Sequence, residues 1–296
     1  MERVKPNTVI HYHAVIHRAL KYAVKTDLID VNPADKVDRP KKNEFTGNFY
    51  SKDEMNALFD AVRGSKIEVA VMLTAFYGLR RSEVVGLKWA AVDFEQNTIE
   101  ICHTVTTVRL DGKEVLVESN DTKTKSSKRT LPLVPVFRER LLALQEEQKE
   151  NRKLCGRCYN KKYADYICVD AMGNLLKPDY LSNSFQIILQ NYHLRRIRFH
   201  DLRHTAATNM HQLTGDFYTV GEVLGHTLAG IGVSLGLSMN FEAVTARYVD
   251  VRLERKKEVL DAYHGAVKQA DPAKAEKAEP KKAKSAAKKK SSDLEL

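Results

Sequence analysis

Long hydrophobic runs are missing from this sequence of 296 residues. No segment approaches the roughly 18 consecutive apolar residues that a membrane-spanning helix requires. The first five residues, MERVK, also lack the apolar stretch of a secretory signal peptide. We therefore expect a cytoplasmic protein without a membrane partner.

Cysteine is also scarce, with four residues in the chain. A reducing compartment would keep these thiols free. Cys155 and Cys158 have the C-x-x-C spacing of half a zinc site, but Cys102 and Cys168 form no second C-x-x-C pair to complete it. The carboxylates likewise form no cluster typical of a magnesium site. The sequence therefore favours structural thiols over a metal site.

Negative charge is in the minority, because 38 Asp and Glu face 48 Lys and Arg, for a net charge of +10. Such an imbalance attracts polyanions, so nucleic acid is the first partner to consider. Nine lysines and five acids lie from His264 to Leu296 in an Ala-, Pro- and Ser-rich segment, which predicts a disordered tail over 269–296. The rest of the excess lies in the folded part, where ordinary solvation of surface charge is the competing interpretation.

Two domains are predicted ahead of the tail. Apolar side chains at three- and four-residue steps over residues 7–24 indicate one amphipathic helix. One helix cannot form a core, so residues 1–44 either end a helical domain whose first helices lie outside this sequence, which we favour, or pack on the main domain. The capping-box pattern at Ser51 and Glu54 indicates a second domain over 45–268.

This second domain is predicted to be mainly α with a small inserted antiparallel β-sheet. Period-two alternation runs from Val92 to Leu133, and Asp111-Gly112 between alternating segments is typical of a hairpin turn. Residues 231–239 alternate again, which predicts a strand-like insertion that needs a partner edge. Helical periodicity predicts helices over 66–77, 137–153, 178–192, 200–213, 220–224, 241–249 and 252–267.

The chemistry suggested by the residues is phosphate binding. His200 and Arg203 lie three residues apart on one predicted helix face. An arginine suits a phosphate there, because its planar fork binds two oxygens and stays charged. Arg80 lies at a predicted helix junction, where unpaired backbone N–H groups also attract anions. Four cations over 123–129 predict a basic turn at the tip of a hairpin. This turn either contacts DNA or has charges that are only solvated by water.

Five short motifs follow one another along the chain. They are Gly78-Leu79-Arg80-Arg81-Ser82-Glu83, Lys123-Thr124-Lys125-Ser126-Ser127, His200-Asp201-Leu202-Arg203-His204, Leu224-Gly225-His226 and Arg247-Tyr248. Each is weak alone, but together and in this order they resemble the tyrosine recombinases of the phage-integrase type. The resemblance covers residues 51–267. It implies a catalytic domain preceded by the end of the family's helical core-binding domain.

The resemblance also implies which residues bind the phosphate. Arg80 and Arg203 would bind the scissile phosphate from two sides, and His226 would donate a hydrogen bond to it. Glu83, one helical turn after Arg80, would orient the site without reacting.

Proton transfer and nucleophilic attack are assigned by the same resemblance. Tyr248 would attack the phosphate to form a 3′-phosphotyrosyl link. Lys123 would protonate the leaving 5′ oxygen, with Lys125 as the competing candidate. His200 would serve in proton transfer, whereas His204, one turn later, would be structural.

The partner implied by the resemblance is double-stranded DNA with att-like inverted repeats, contacted also by Lys125, Lys128 and Arg129. Dimers and tetramers would assemble on this DNA through the helix over 252–267, in a bacterial mobile element, with an excisionase or a host DNA-bending protein as further partners. No metal or other cofactor is implied, because the phosphotyrosyl link keeps the bond energy. A catalytically silent DNA-binding regulator of the same fold and a type IB topoisomerase-like nicking-closing enzyme are the alternatives.

Overall fold

The structure is a computed structural model that describes residues 4–41, 48–120, 128–225 and 253–267. The chain divides into two compact units, Met1–Gly47 and Asn48–Leu296. In the first unit, helix α1 (Pro6–Lys25) precedes a 3₁₀ turn (Pro33–Lys36). None of the α1 residues is buried, as expected of a helix that cannot form a core by itself.

Hydrogen bonds hold the 3₁₀ turn of the first unit against α1. His13 Nε2 contacts the carbonyl oxygen of Ala34 at 3.0 Å, and Asn32 Nδ2 donates to the carbonyl of His17 at 3.2 Å. The Asn32 side chain also accepts from the Ala34 N–H, which begins the turn. The chain after α1 therefore forms a capped turn.

The second unit is mainly helical, which confirms the predicted fold class. Its helices are α2 (Lys52–Val62), α3 (Glu68–Tyr77), α4 (Arg81–Val85), α5 (Pro135–Cys155), α6 (Pro178–Asn191), α7 (Asp201–Thr214), α8 (Phe217–Leu224) and α9 (Leu253–Ala266). Short 3₁₀ turns lie at Trp89–Ala91, Gly156–Cys158 and Lys161–Tyr163. The helix predicted over 220–224 begins earlier, at Phe217. The predictions for 231–239 and 241–249 lie outside the described residues.

The β-structure forms two small antiparallel sheets instead of the single expected sheet. Strands β1 (Val92–Asp93), β2 (Thr98–Ile101) and β5 (Arg129–Pro132) form one sheet in the order β1-β2-β5. Strands β3 (Thr104–Leu110) and β4 (Lys113–Ser119) form a separate ribbon around the predicted Asp111-Gly112 turn. Since β1 and β5 occupy both edges of β2, β3 pairs only with β4 among the described strands.

Helix α3 lies in the centre of the core, with nine of its ten residues buried. It packs against α7, and α9 packs on α7, α8 and β5 of the same chain. The Tyr263 ring of α9 stacks on Phe76 with a centroid distance of 5.0 Å. Tyr77 is buried in this core, whereas Tyr192 is 58% exposed. The helix expected to connect subunits therefore packs on its own chain in this structure.

Membrane-spanning helices and metal-ligand clusters are both missing from the described part of the chain. None of its helices combines the length and the apolar character needed to cross a membrane. Its His, Cys, Asp and Glu side chains form no group of three or more that could hold a metal ion. All four cysteines are free thiols.

Candidate active site

The position of Arg80 is fixed by a sharp reversal between α3 and α4. Gly78 ends α3 in the left-handed region with φ +65°, a conformation that glycine adopts without steric cost. A side chain on Gly78 would collide with Leu224, so this glycine also lets α8 approach. Two residues later Arg80 precedes α4, and its backbone N–H donates to Glu83 Oε2 at 2.9 Å. The start of α4 therefore holds Arg80 in a defined orientation.

The guanidinium of Arg80 is tethered on one side and open on the other. Its Nη1 donates to Glu83 Oε1 at 2.6 Å, and its Nη2 donates to the carbonyl of Gly225 at 3.3 Å. The side chain keeps 36% of its surface exposed. An anion that approaches from solvent can therefore reach Arg80 without breaking its tethers.

Arg203 lies deeper, on α7, with 3% of its surface exposed. Its Nη1 donates to the carbonyl of Gly78 at 2.6 Å and its Nη2 to the carbonyl of Leu224 at 2.7 Å. Burial, together with the charges of Arg80 and Arg129 and partly opposed by Glu83, lowers the pKa of Arg203 to about 9. The group still carries its charge at pH 7.

The carboxylate of Glu83 lies between two arginines. Arg129 Nη2 donates to Oε2 at 3.0 Å and Arg129 Nη1 to Oε1 at 3.4 Å, so each oxygen that bonds Arg80 also bonds Arg129. Burial by itself would raise the pKa of Glu83, but the charge and hydrogen bonds of Arg129, joined by Arg80, lower it to about 2. Glu83 is therefore an anion at every pH at which the protein would work.

Arg129 corrects one expectation. We expected Arg129 to contact DNA from a basic turn, but its side chain is only 2% exposed and also donates from Nε to the carbonyl of Val223 at 2.7 Å. The physical reason is strand parity, because Arg129 and Leu131 point to the same buried face of β5. Lys128, one residue earlier, points outward and pairs with Glu100 at 3.3 Å, so it remains available to an external anion.

His200 lies at the start of α7, one turn before His204. Desolvation lowers the pKa of His200 most, and repulsion between its protonated ring and His204, Arg203 or Arg198 lowers it further. Burial also lowers the pKa of His204. The two rings meet edge to face with centroids 5.3 Å apart. Both imidazoles are therefore neutral at pH 7, and a neutral imidazole can accept a proton.

The first turn of α7 is anchored by a buried carboxylate. Asp201 accepts from the Arg198 backbone N–H at 2.8 Å and from Arg198 Nη2 at 2.6 Å. Burial opposes ionisation of Asp201, but the Arg198 hydrogen bonds outweigh it and lower its pKa. This anchor fixes the start of α7, and with it the position of His200, the residue that precedes the helix.

Four predicted site residues, Lys123, Lys125, His226 and Tyr248, lie outside the described residues. The structure brings together Arg80, Arg203 and Glu83, and it places His200 on the same helix as Arg203. Sequence reasoning missed the role of Arg129 within this cluster. The signal was present, because alternation with Leu131 assigns Arg129 to the inward face of the strand.

Comparison with known proteins identifies the family of this chain. The sequence model described as the phage integrase family matches residues 48–230. A tyrosine recombinase XerC-like protein of Caldanaerobacter subterraneus is 27% identical over 195 residues, which cover 63% of this chain and 49% of that protein. Tyrosine recombinase XerC of Pediococcus pentosaceus is 28% identical, with 70% and 63% covered. The matched part thus spans about half of the first relative and under two thirds of the second.

A longer match and a solved structure extend the comparison. Tyrosine recombinase XerC of Staphylococcus saprophyticus is 25% identical over 90% of this chain and 79% of its own length. The Tn1549 transposon integrase, solved in complex with a circular intermediate DNA, is similar in fold, with a TM-score of 0.64 and 18% identity. That match covers 82% of this chain and 79% of the integrase. Since the family model matches more than half of its residues, this chain belongs to the phage integrase family, the tyrosine recombinases.

Proposed function

We propose that this protein is a site-specific recombinase that cleaves and rejoins double-stranded DNA through a 3′-phosphotyrosyl intermediate. One observation carries the proposal. Arg203 and Arg80 come from distant parts of the chain and bind the consecutive carbonyls of Leu224 and Gly225. Since these carbonyls are neighbours on the chain and the charge of Arg80 acts on Arg203, we infer that the two guanidinium groups can bind one phosphate together.

The chemistry follows from the charge of this pair. Phosphoryl transfer places negative charge on the non-bridging oxygens, and fixed cations stabilise that charge without reorganising. We assign Arg80 and Arg203 to these oxygens and His226 to a further hydrogen bond. The neutral ring of His200 would accept a proton during the reaction, because its lowered pKa keeps it unprotonated at pH 7.

The nucleophile and the acid complete the proposal. Tyr248 would attack the phosphorus, release the 5′ oxygen and remain linked to the 3′ phosphate. Lys123 would give a proton to the 5′ oxygen that leaves, and the same steps in reverse would rejoin a strand. Since the phosphotyrosyl link keeps the bond energy, the reaction needs neither ATP nor a metal.

The biological setting and the assembly belong to the same proposal. We assign the protein to a mobile element of bacteria, in line with the transposon integrase whose fold it shares. Dimers and tetramers would form on att-like inverted repeats, with Lys125 and Lys128 on the DNA backbone and an excisionase or a DNA-bending protein as accessory partners. Residues 1–44 would belong to a core-binding domain that also contacts DNA.

The decisive experiment is covalent trapping. Duplexes are first selected from a random-sequence library by binding to the wild-type protein, and are then nicked, labelled and incubated with it in EDTA. We expect an adduct that survives denaturing electrophoresis and is lost in Tyr248→Phe. Tyr192→Phe, which changes an exposed tyrosine of the described structure, is the matched control and should retain the adduct.

The possible results separate the alternatives. Binding without an adduct on any selected duplex would overturn the enzymatic proposal in favour of a DNA-binding regulator. An adduct that persists in Tyr248→Phe would show that another residue is the nucleophile. Joint molecules between two duplexes distinguish a recombinase from a topoisomerase, which relaxes DNA without exchanging partners.

A further inference from the structure

We propose that Arg129 is a positioning residue that holds Arg80 and Arg203 in register for one phosphate, which rests on the function proposed above. Arg129 would touch neither DNA nor the reacting atoms. It would act through two groups that the phosphate-binding arginines also use: the carboxylate of Glu83 and the C-terminal end of α8.

The first route runs through the end of α8. The last carbonyls of a helix have no partner inside the helix and form its negative pole. Three consecutive carbonyls at this end each accept from a different arginine: Val223 from Arg129, Leu224 from Arg203 and Gly225 from Arg80.

The order of these contacts shows how Arg129 controls the other two. Its Nε holds the first carbonyl at 2.7 Å, and a Cβ placed on Gly225 would lie 2.7 Å from its Nη1, so the Gly225 backbone packs directly against the guanidinium. Gly225 adopts φ +65°, which turns the chain at this point. Arg129 therefore sets where the carbonyls that receive Arg203 and Arg80 lie.

The second route runs through Glu83. This carboxylate receives Arg80 on one side and Arg129 on the other, and each of its oxygens serves both arginines. Without Arg129, the whole carboxylate would be available to Arg80 and would neutralise it more fully. Because Arg129 shares both oxygens of Glu83, the carboxylate neutralises Arg80 only in part. Arg80 therefore keeps positive charge for a phosphate.

Both routes need the shape of arginine as well as its charge. The fork places three N–H groups on Val223 and on both oxygens of Glu83 at once. A lysine ammonium is a single point of charge on a flexible stem, and cannot make these contacts together. Arg129→Lys therefore keeps the charge and removes the alignment.

The test measures cleavage and binding separately. On the duplex that traps wild-type protein best, Arg129→Lys should form adduct roughly 100-fold more slowly at saturation, as expected when reacting groups are displaced by about 1 Å. The half-saturating DNA concentration should not change. Arg140→Lys is the matched control, since Arg140 bridges Glu68 and Glu147 through bonds of 3.1 and 3.0 Å, and it should cleave like wild type.

A second readout does not depend on cleavage. In spectra of arginine labelled with ¹⁵N, the Nε–H signals of Arg80 and Arg203 should move or exchange faster with solvent in Arg129→Lys than in wild type. The Arg140 signal should stay in place. If Arg129→Lys does not fold, Arg129→Gln, whose neutral amide nitrogen takes the place of Nε and loses both contacts with Glu83, is measured in the same two ways.

The outcomes are separable from those for the proposed function. If wild-type protein forms no adduct, the proposed function fails, and the spectra still decide whether Arg129 positions the pair. Wild-type cleavage by Arg129→Lys, or unmoved Arg80 and Arg203 signals, would overturn the proposal. A loss of DNA binding equal to the loss of cleavage would do so too, because it would make Arg129 a contributor to affinity.

Discussion

Replacement of Glu83 by glutamine should destabilise the second unit by about 3 kcal/mol at pH 7. The amide NH₂ would face N–H donors of Arg129 or Arg80, and both arginines would lose their shared carboxylate. Removal of one partner from a buried ion pair costs roughly 3–5 kcal/mol. The pKa of Glu83, about 2 against an ordinary 4.5, gives a similar figure of about 3 kcal/mol.

The pKa shift of Glu83 determines how its contribution to stability changes with pH. Because the pKa of Glu83 is depressed in the folded state, the unfolded chain takes up a proton first as pH falls. The stabilisation is therefore complete above pH 4.5 and is lost as pH falls towards 2. The gap in stability between wild type and Glu83→Gln should narrow over that range.

Urea denaturation at several pH values measures the effect without any need for DNA. Glu147→Gln is the control, because Glu147 also binds an arginine but is 52% exposed, and exposed pairs contribute about 0–1 kcal/mol. A loss below about 1 kcal/mol for Glu83→Gln would refute the reasoning, since exposed pairs alone reach that value. The reasoning would also be refuted if the difference in stability between wild type and Glu83→Gln stayed constant from pH 7 to pH 3.

Three further predictions concern single positions. His200 should titrate in proton NMR well below pH 6.5, and a midpoint at or above 6.5 would contradict the proposed neutral acceptor. Gly225→Ala should unfold at a lower urea concentration than Gly215→Ala. Both glycines have positive φ, but only at position 225 does the new Cβ contact Arg129. Equal losses of stability in the two variants would contradict this close approach. Tyr77→Phe removes a buried hydroxyl that bonds two backbone groups and should cost about 1–3 kcal/mol in the same assay, against no loss if water replaces it.

Local signals in the sequence were sufficient to predict most of the helices. Ser51 and Glu54 form the expected reciprocal capping bonds, at 2.8 and 3.3 Å, and α2 begins there. A proline or a glycine also marks several ends, such as Pro178 at the start of α6 and Gly215 after α7. These elements are predictable because caps and periodicity act within one or two turns.

The environment of Arg129 was not predictable in the same way. A run of cations suggests a surface turn, and this holds for Lys128, which points outward. Arg129 is buried against Glu83 and Val223, which lie 46 and 94 positions away along the chain. Only tertiary folding brings such groups together, although strand parity could have excluded Arg129 from the solvent face.

Arg129 and Arg203 are buried, Arg80 is partly exposed, and with only the carboxylate of Glu83 between them these arginines leave an excess of positive charge at the end of α8. The carbonyls of Val223, Leu224 and Gly225 carry only partial negative charge, so they offset this excess incompletely. Burial is the main cause of the lowered pKa of Arg203, and repulsion by Arg80 and Arg129 adds to it. A bound phosphate would supply the missing negative charge and would raise that pKa again. Under the proposed function, an anion would relieve this excess of charge, and fixed cations at the site would favour the phosphate most when its charge is greatest, in the transition state.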